Sequence, residues 1–282
     1  MSTGSTPILL LHGSWHAAWC WTEVIAHLVS YDRPALAVDM AGHGLRARRP
    51  DCLTMRPFDP DGLATEVSPV TEVDLDQAAE LLICQIERLG RGGPVTVLAH
   101  SMGGVVLTRA AQQVPELVAR AVYLAAVMPG SGRAADQYFA LPENADALVL
   151  SALRGDPAVT GALRLDLASN DPGYRQQLRD AFYGDVAPVV ADAALGLLTP
   201  DAPVSMMRGT TRLTRDGWGS VLRTYVVCTQ DMAIRPALQR LFVAEADAAF
   251  PENPTSVVTL DSAHAPFLSM PGEIAKILGE LY

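Results

Sequence analysis

Six short apolar runs rich in β-branched residues recur at residues 7–11, 34–38, 95–99, 120–125, 224–228 and 256–260. Between them lie segments whose apolar positions repeat with helical spacing, at 18–29, 75–89, 103–114, 237–249 and 271–281. A short continuous apolar run suits a strand covered on both faces, and a helical crossover is what returns a chain to the same edge of a sheet. The expected fold is therefore α/β: a doubly wound, mainly parallel sheet of six buried strands.

Composition narrows the class of molecule. Of 282 residues, 49% are hydrophobic and 18% charged, enough apolar material for one sizeable core. The length favours one decorated domain over two independent ones. A net charge of −10, with no clustered Lys/Arg stripe to reverse it locally, repels phosphate backbones and anionic lipid. Nucleic acid and membrane surfaces are thus not expected partners. Residues 1–6 are small and polar, and the apolar run at 8–11 is too short for a signal-peptide core, which gives a cytoplasmic location as the expectation. Cys20, Cys52, Cys84 and Cys228 are scattered without C-x-x-C pairing, so packing is their expected role. Lys276 is the only lysine, which leaves Schiff-base chemistry one poorly placed candidate.

Two stretches break the strand and helix rhythm. Residues 41–72 carry Pro50, Pro57, Pro60 and Pro69, lack clear periodicity and begin where the second strand ends. They are expected as a long loop on the ligand-binding edge of the sheet, either lining the substrate or passing over the surface. Residues 129–218 contain helix-like pieces at 144–153, 174–181 and 187–198. They are expected as an inserted helical cap on a core formed by 1–128 and 219–282, excluding water and supplying pocket walls.

Within that frame, Val95-Thr96-Val97-Leu98-Ala99-His100-Ser101-Met102-Gly103-Gly104 is a buried strand running through a small-residue turn into a helix. It has the form of a nucleophile elbow. The turn strains the backbone of Ser101 while exposing its hydroxyl, so the residues two before and two after must be small. Ala99, in place of the commoner glycine, and Gly103 meet that need. The backbone N–H of Met102, at the start of the helix, then faces a developing oxyanion with the helix dipole behind it.

A serine hydroxyl needs a base, and six histidines are available. His12 and His43 adjoin glycines in turns, His27 lies on the first helix, and His100 adjoins the nucleophile with its side chain on the wrong side of the elbow. His264 follows the last strand in a loop expected over the same sheet edge as Ser101. The base needs a carboxylate, and the expected chain order is Ser, Asp or Glu, then His. Asp231 lies just beyond the strand ending at Cys228, whereas Asp216 precedes that strand, Asp247 belongs to a helix and Asp261 is too near His264 in sequence. The second oxyanion donor is expected from the loop after the first strand, at the Ser14 N–H. His12 is expected to brace that loop. Trp15, His16 and Trp19 are candidates for the substrate pocket, with core packing as the plainer alternative.

The segment His12-Gly13-Ser14-Trp15-His16-Ala17-Ala18-Trp19-Cys20-Trp21 resembles the plant methylesterase and hydroxynitrile lyase branch of the α/β-hydrolase superfamily. The resemblance extends to the order of elements along the whole chain. It implies an α/β-hydrolase fold, a triad of Ser101, Asp231 and His264, and oxyanion donors at the Ser14 and Met102 backbones. The lyases of this branch carry a threonine after the first-strand histidine and a lysine after the triad histidine, where this chain has Gly13 and Ala265. The 41–72 loop and the lysine-poor, Ala/Arg/Pro-rich composition fit a bacterial source with a GC-rich genome better than a plant one.

The expected chemistry is hydrolysis of a carboxylic ester or lactone of a small to medium hydrophobic substrate through an acyl-Ser101 intermediate, with no metal or organic cofactor. A lyase or cyclase using the same triad is the enzymatic alternative. A non-catalytic ligand-binding protein on this fold is the alternative from another class. The expected partner is a small-molecule substrate, with a homodimer left open. An aspartate nucleophile of the epoxide hydrolase or dehalogenase kind is excluded by Ser101, whereas thioesterase, lactonase, carbon–carbon hydrolase and acyltransferase chemistry remain compatible.

Overall fold

The computed structural model describes residues 6–281; the polar start at 1–5 and Tyr282 lie outside the described residues. Strands β1 (Ile8–Leu11), β2 (Ala35–Val38), β3 (Val95–His100), β4 (Val118–Leu124), β5 (Ala162–Arg164), β6 (Asp201–Pro203), β7 (Arg223–Cys228) and β8 (Ser256–Leu260) are formed. Six of them make one parallel sheet in the order β2-β1-β3-β4-β7-β8. Two strands start one residue later than the apolar runs suggest, because Pro7 and Pro34 have no N–H to give the ladder. Their carbonyls still serve it, accepting from Thr96 and Ile8.

All six runs form strands, but not all six strands are buried. β1, β3 and β7 are buried along their whole length and β4 along most of it, whereas the edge strands β2 and β8 expose alternate positions such as Leu36 and Val257. An edge strand has a neighbour on one side only, so less of the flanking helix layers covers it.

Helix Leu75–Gly90 starts in a capping box between Asp74 and Gln77 and packs on helix Gly103–Gln113. Helix Thr22–Leu28 packs on helix Pro271–Glu280. This pairing follows from right-handed crossovers, because the chain leaves β1 toward β2 and leaves β3 toward β4, in opposite directions along the sheet. The carboxyl ends of β1 and β3 therefore form the switch point of the sheet, where the loops after the two strands face each other. Cys20, Cys52 and Cys228 are buried, and Cys84 is exposed on its helix. Among the described residues no helix is long and apolar enough to cross a membrane.

Between β4 and β7 the chain leaves the sheet. Helix Pro172–Phe182 is capped by the Asp171 carboxylate, which accepts from the N–H groups of Gly173 and Tyr174, and helix Pro188–Leu197 follows it. The helix expected at 144–153 is reduced to Val149–Ala152, since Asp146 takes a left-handed φ of 65° and Leu148 turns its N–H to the Met232 carbonyl. β5 and β6 pair antiparallel, with Arg164 directly opposite Asp201.

The 41–72 excursion braces this insertion. It holds a short helix, Pro60–Thr65, capped by Asp59. Arg164 forms two 2.8 Å bonds to the Asp201 carboxylate and reaches the carbonyls of Leu63 and Glu66 at 3.0 Å. Ser68 N–H donates to the Thr160 carbonyl at 2.7 Å. Arg164 and Asp201 are fully buried, so the pair is a costly feature that holds only while every partner is in place. Arg164→Leu leaves a buried carboxylate and two carbonyls unpaired. Its expected effect is a loss of about 3–5 kcal/mol in equilibrium urea unfolding, and a loss below about 1 kcal/mol would show that water replaces the guanidinium.

Candidate active site

Ser101 closes β3 with φ 53°, in the left-handed region. For a residue with a side chain this costs about 1–3 kcal/mol and persists only where the surroundings enforce it. Here they do. Ser101 N–H donates to the Leu124 carbonyl, while its own carbonyl accepts from Gly104 and Val127. A Cβ on Gly103 would lie 2.4 Å from the His12 carbonyl oxygen, and one on Gly104 would lie 2.4 Å from that of Val127. The glycines let the helix after Ser101 approach two backbones that any side chain would hold off.

The loop after β1 is pressed against this elbow. A Cβ on Gly13 would lie 2.5 Å from the Ser101 Cβ and 3.1 Å from its Oγ. His12 braces the loop: Nδ1 donates to the Gly13 carbonyl at 2.8 Å, and Nε2 accepts the Met40 N–H at 3.0 Å. Burial, with a smaller contribution from His43, holds the His12 pKa well below its usual value, so the ring stays neutral with one donor and one acceptor nitrogen. The Gly13 carbonyl and the Ser14 N–H belong to one peptide plane, so this bond also aims the Ser14 donor.

His264 and Asp231 meet across the loops after β8 and β7. Gln230 N–H donates to the Ser262 carbonyl, and Thr229 Oγ1 and Gln230 Nε2 both bind Asp261 Oδ1 at 2.8 Å, which ties the two loops together. Asp261 is thereby spent on a structural contact. His264 Nδ1 donates to Asp231 Oδ2 at 2.8 Å, with both side chains buried. Asp231 Oδ1 also accepts from the Ala233 and Ile234 N–H groups at 2.7 and 2.9 Å, and Oδ2 accepts from Gln239 Nε2 at 3.0 Å. His100 lies off the cavity, with its ring 4.5 Å from that of His264 and its Nε2 donating to the His264 carbonyl at 2.8 Å.

Ser101, His264, Ser14 and Met102 line one cavity, partly open to solvent. Its other walls are apolar, including Trp15, Phe139, Leu163, Phe182, Met207 and Ile234. Ser14 and Met102 are buried, and among the described residues neither of their backbone N–H groups has a protein acceptor. Buried donors without partners are rare, and both of these belong to residues that line the same cavity as Ser101. No hydrogen bond joins Ser101 Oγ to His264 among the described residues; such contacts are often long in a free enzyme.

The three pocket candidates divide. Trp15 lines the cavity, whereas His16 and Trp19 do not. His16 donates from Nδ1 to the Ser14 carbonyl at 3.0 Å and accepts from the Tyr183 hydroxyl at Nε2, 2.9 Å away, so both nitrogens are engaged behind the wall. Trp19 stacks on the His16 ring. No residue of 41–72 lines this cavity. Gln239 escaped the sequence reading. Its signal was a lone amide among the otherwise apolar buried positions of its helix, Leu238, Phe242 and Ala246. Pocket walls were expected from residues 129–218, but the individual wall residues between 139 and 207 carried no signal of their own, because they are ordinary apolar residues.

A model of the alpha/beta hydrolase family matches residues 8–277. The chain belongs to the alpha/beta hydrolase family. The similarity to plant methylesterases extends far beyond residues 12–21. Methylesterase 9 of Arabidopsis thaliana is 26% identical over 283 residues, covering 96% of this chain and 95% of that protein. Methyl jasmonate esterase 1 of Vitis vinifera is 26% identical over 286 residues, covering 97% and 95%. Among solved structures, a pyrethroid hydrolase from Sphingobium faniae JZ-2 superimposes with a TM-score of 0.74 at 22% identity, covering 98% of this chain and 96% of that one. Polyneuridine aldehyde esterase superimposes with a TM-score of 0.72 at 22% identity, covering 97% and 98%. At that identity these two structures speak to the alpha/beta hydrolase fold alone.

The close approach at residue 13 can be tested by stability. Gly13→Ala drives a Cβ into Ser101, and neither backbone is a flexible end that can yield. A loss of about 1–3 kcal/mol in thermal or urea unfolding is expected, typical of overpacking, and an unchanged transition would show slack between the two loops.

Proposed function

We propose that this alpha/beta hydrolase is a serine esterase that cleaves a carboxylic ester or lactone through an acyl-Ser101 intermediate. The observation that carries the proposal is the buried 2.8 Å bond from His264 Nδ1 to Asp231 at the wall of the cavity that Ser101 also lines. That bond fixes the proton on Nδ1 and leaves the Nε2 lone pair to act as a base. Ser101 Oγ attacks the ester carbonyl carbon as its proton passes to His264 Nε2. The carbonyl oxygen takes the negative charge and accepts hydrogen bonds from the Ser14 and Met102 N–H groups. When the bond to the alcohol oxygen breaks, His264 returns the proton to the leaving alkoxide. Water then repeats the sequence on the acyl-enzyme, giving the free acid and regenerating Ser101.

The walls bear on the substrate. Among the described residues no lysine, arginine or carboxylate lines the cavity, and burying an unpaired charge there would be costly. The acyl part is therefore uncharged, hydrophobic and small to medium in size. We also propose that residues 129–218 act as a cap, since Phe139, Leu163, Phe182 and Met207 close the cavity from that side. The relatives named as esterases support hydrolysis over the lyase alternative. So does Gly13, because Ser101 occupies the space in which a threonine side chain would begin.

Turnover of short-chain aryl esters tests the reading. Asp231→Asn keeps the size of the side chain but favours the wrong tautomer of His264, so kcat is expected to fall by a factor on the order of 10⁴. Near-normal turnover in that variant would remove Asp231 from the mechanism.

A further inference from the structure

The four residues 182–185, at the end of helix Pro172–Phe182, touch both halves of the site. Phe182 lines the cavity, with its ring 5.5 Å from Trp15 and 6.3 Å from His264. The Tyr183 side chain is buried and reaches His16 Nε2 at 2.9 Å. The Ser14 carbonyl can only accept, so His16 Nδ1 carries the proton of that 3.0 Å bond. In the neutral ring Nε2 is then an acceptor, and the Tyr183 hydroxyl donates to it. Burial keeps both groups neutral, pressing the His16 pKa to about 3 and the Tyr183 pKa well above its usual value. Two residues on, Asp185 Oδ2 accepts from the Ala263 N–H at 3.1 Å and the Ser269 hydroxyl at 2.8 Å, on either side of His264.

Both peptide planes at Ser14 are thus held by histidine side chains of the same loop, one of them backed by Tyr183 from outside it. His12 fixes the plane that bears the Ser14 N–H, and His16, backed by Tyr183, fixes the plane that bears the Ser14 carbonyl. The insertion grips the next residue as well: Trp15 has φ 63°, its carbonyl accepts from the Thr199 N–H at 2.7 Å, and its Nε1 donates to the Leu163 carbonyl at 2.8 Å. A donor aimed at a transition-state oxygen loses effect with small displacements, so such holding bears on rate more than on binding.

We propose that residues 182–185 are a positioning element for the ester chemistry, with Tyr183 setting the oxyanion loop through His16 and Asp185 setting the loop that carries His264. The proposal rests on the esterase reading and adds to it that the insertion helps to build the catalytic geometry as well as to close the pocket. Neither Tyr183 nor Asp185 lines the cavity, so neither is a catalytic residue.

The test is steady-state hydrolysis of 4-nitrophenyl acetate, with thermal melting alongside, for wild type, Tyr183→Phe, Asp185→Ala and Asp185→Asn. Tyr183→Phe and Asp185→Ala are each expected to lower kcat about tenfold with KM within about twofold, the pattern of lost transition-state stabilisation. Asp185→Asn retains an acceptor oxygen and is expected to restore most of the rate. Unchanged kcat in both single variants, or a loss carried wholly by KM, overturns the proposal while the wild-type rate leaves the esterase reading intact. A wild type inactive on esters overturns the esterase reading and this proposal together.

Discussion

The loop after β1 and the elbow after β3 lie so close that a side chain at residue 13 would begin inside Ser101, and one at residue 103 would begin against the His12 carbonyl. This contact is a consequence of the sheet. β1 and β3 are neighbours whose connections run in opposite directions, so their carboxyl ends form the one place where two chain reversals face each other. Glycine at 13 and 103 allows the backbones to touch, and the touching holds Ser101 in its left-handed conformation. Ser14 and Met102 are brought to one cavity by the same contact.

The other half of the site depends on loops that belong to neighbouring strands of the same sheet. β7 and β8 are adjacent, and the bonds from Thr229 and Gln230 to Asp261 and Ser262 align the turns that follow them. Asp231 is then held by two backbone N–H groups and Gln239 as well as by His264. Desolvating a carboxylate costs several kcal/mol, and hydrogen bonds to a charged group contribute about 1.5–3 kcal/mol each. Four such bonds are enough to offset that cost and leave the carboxylate no freedom to turn from the histidine.

Much of this was legible in sequence, for physical reasons. A strand buried on both faces leaves a continuous apolar run, and the elbow demands small residues at fixed offsets from Ser101, so both are local signals. His264 and Asp231 could be placed because strand order puts their loops on the edge that bears Ser101. The rest depends on contacts between residues distant in sequence. β5 and β6 are three residues each and pair through Arg164 and Asp201, too short for any periodicity. The helical pattern at 144–153 is broken by the left-handed φ of Asp146 and by the Leu148 N–H turning to the Met232 carbonyl. Tyr183 owes its place to His16, and Gln239 to Asp231, and neither pairing has a local signature. The excursion at 41–72 carried turn residues that mark a loop but nothing to say that it braces the insertion.

The central claim is that the structure activates Ser101 as a nucleophile. Intact-mass spectrometry after exposure to an organophosphonate serine probe, run in parallel on wild type and Ser101→Ala, tests it without requiring the natural substrate. The account predicts one adduct on wild type and none on the variant, with the melting transition of the variant unchanged. No adduct on wild type, or equal labelling of both proteins, would contradict it.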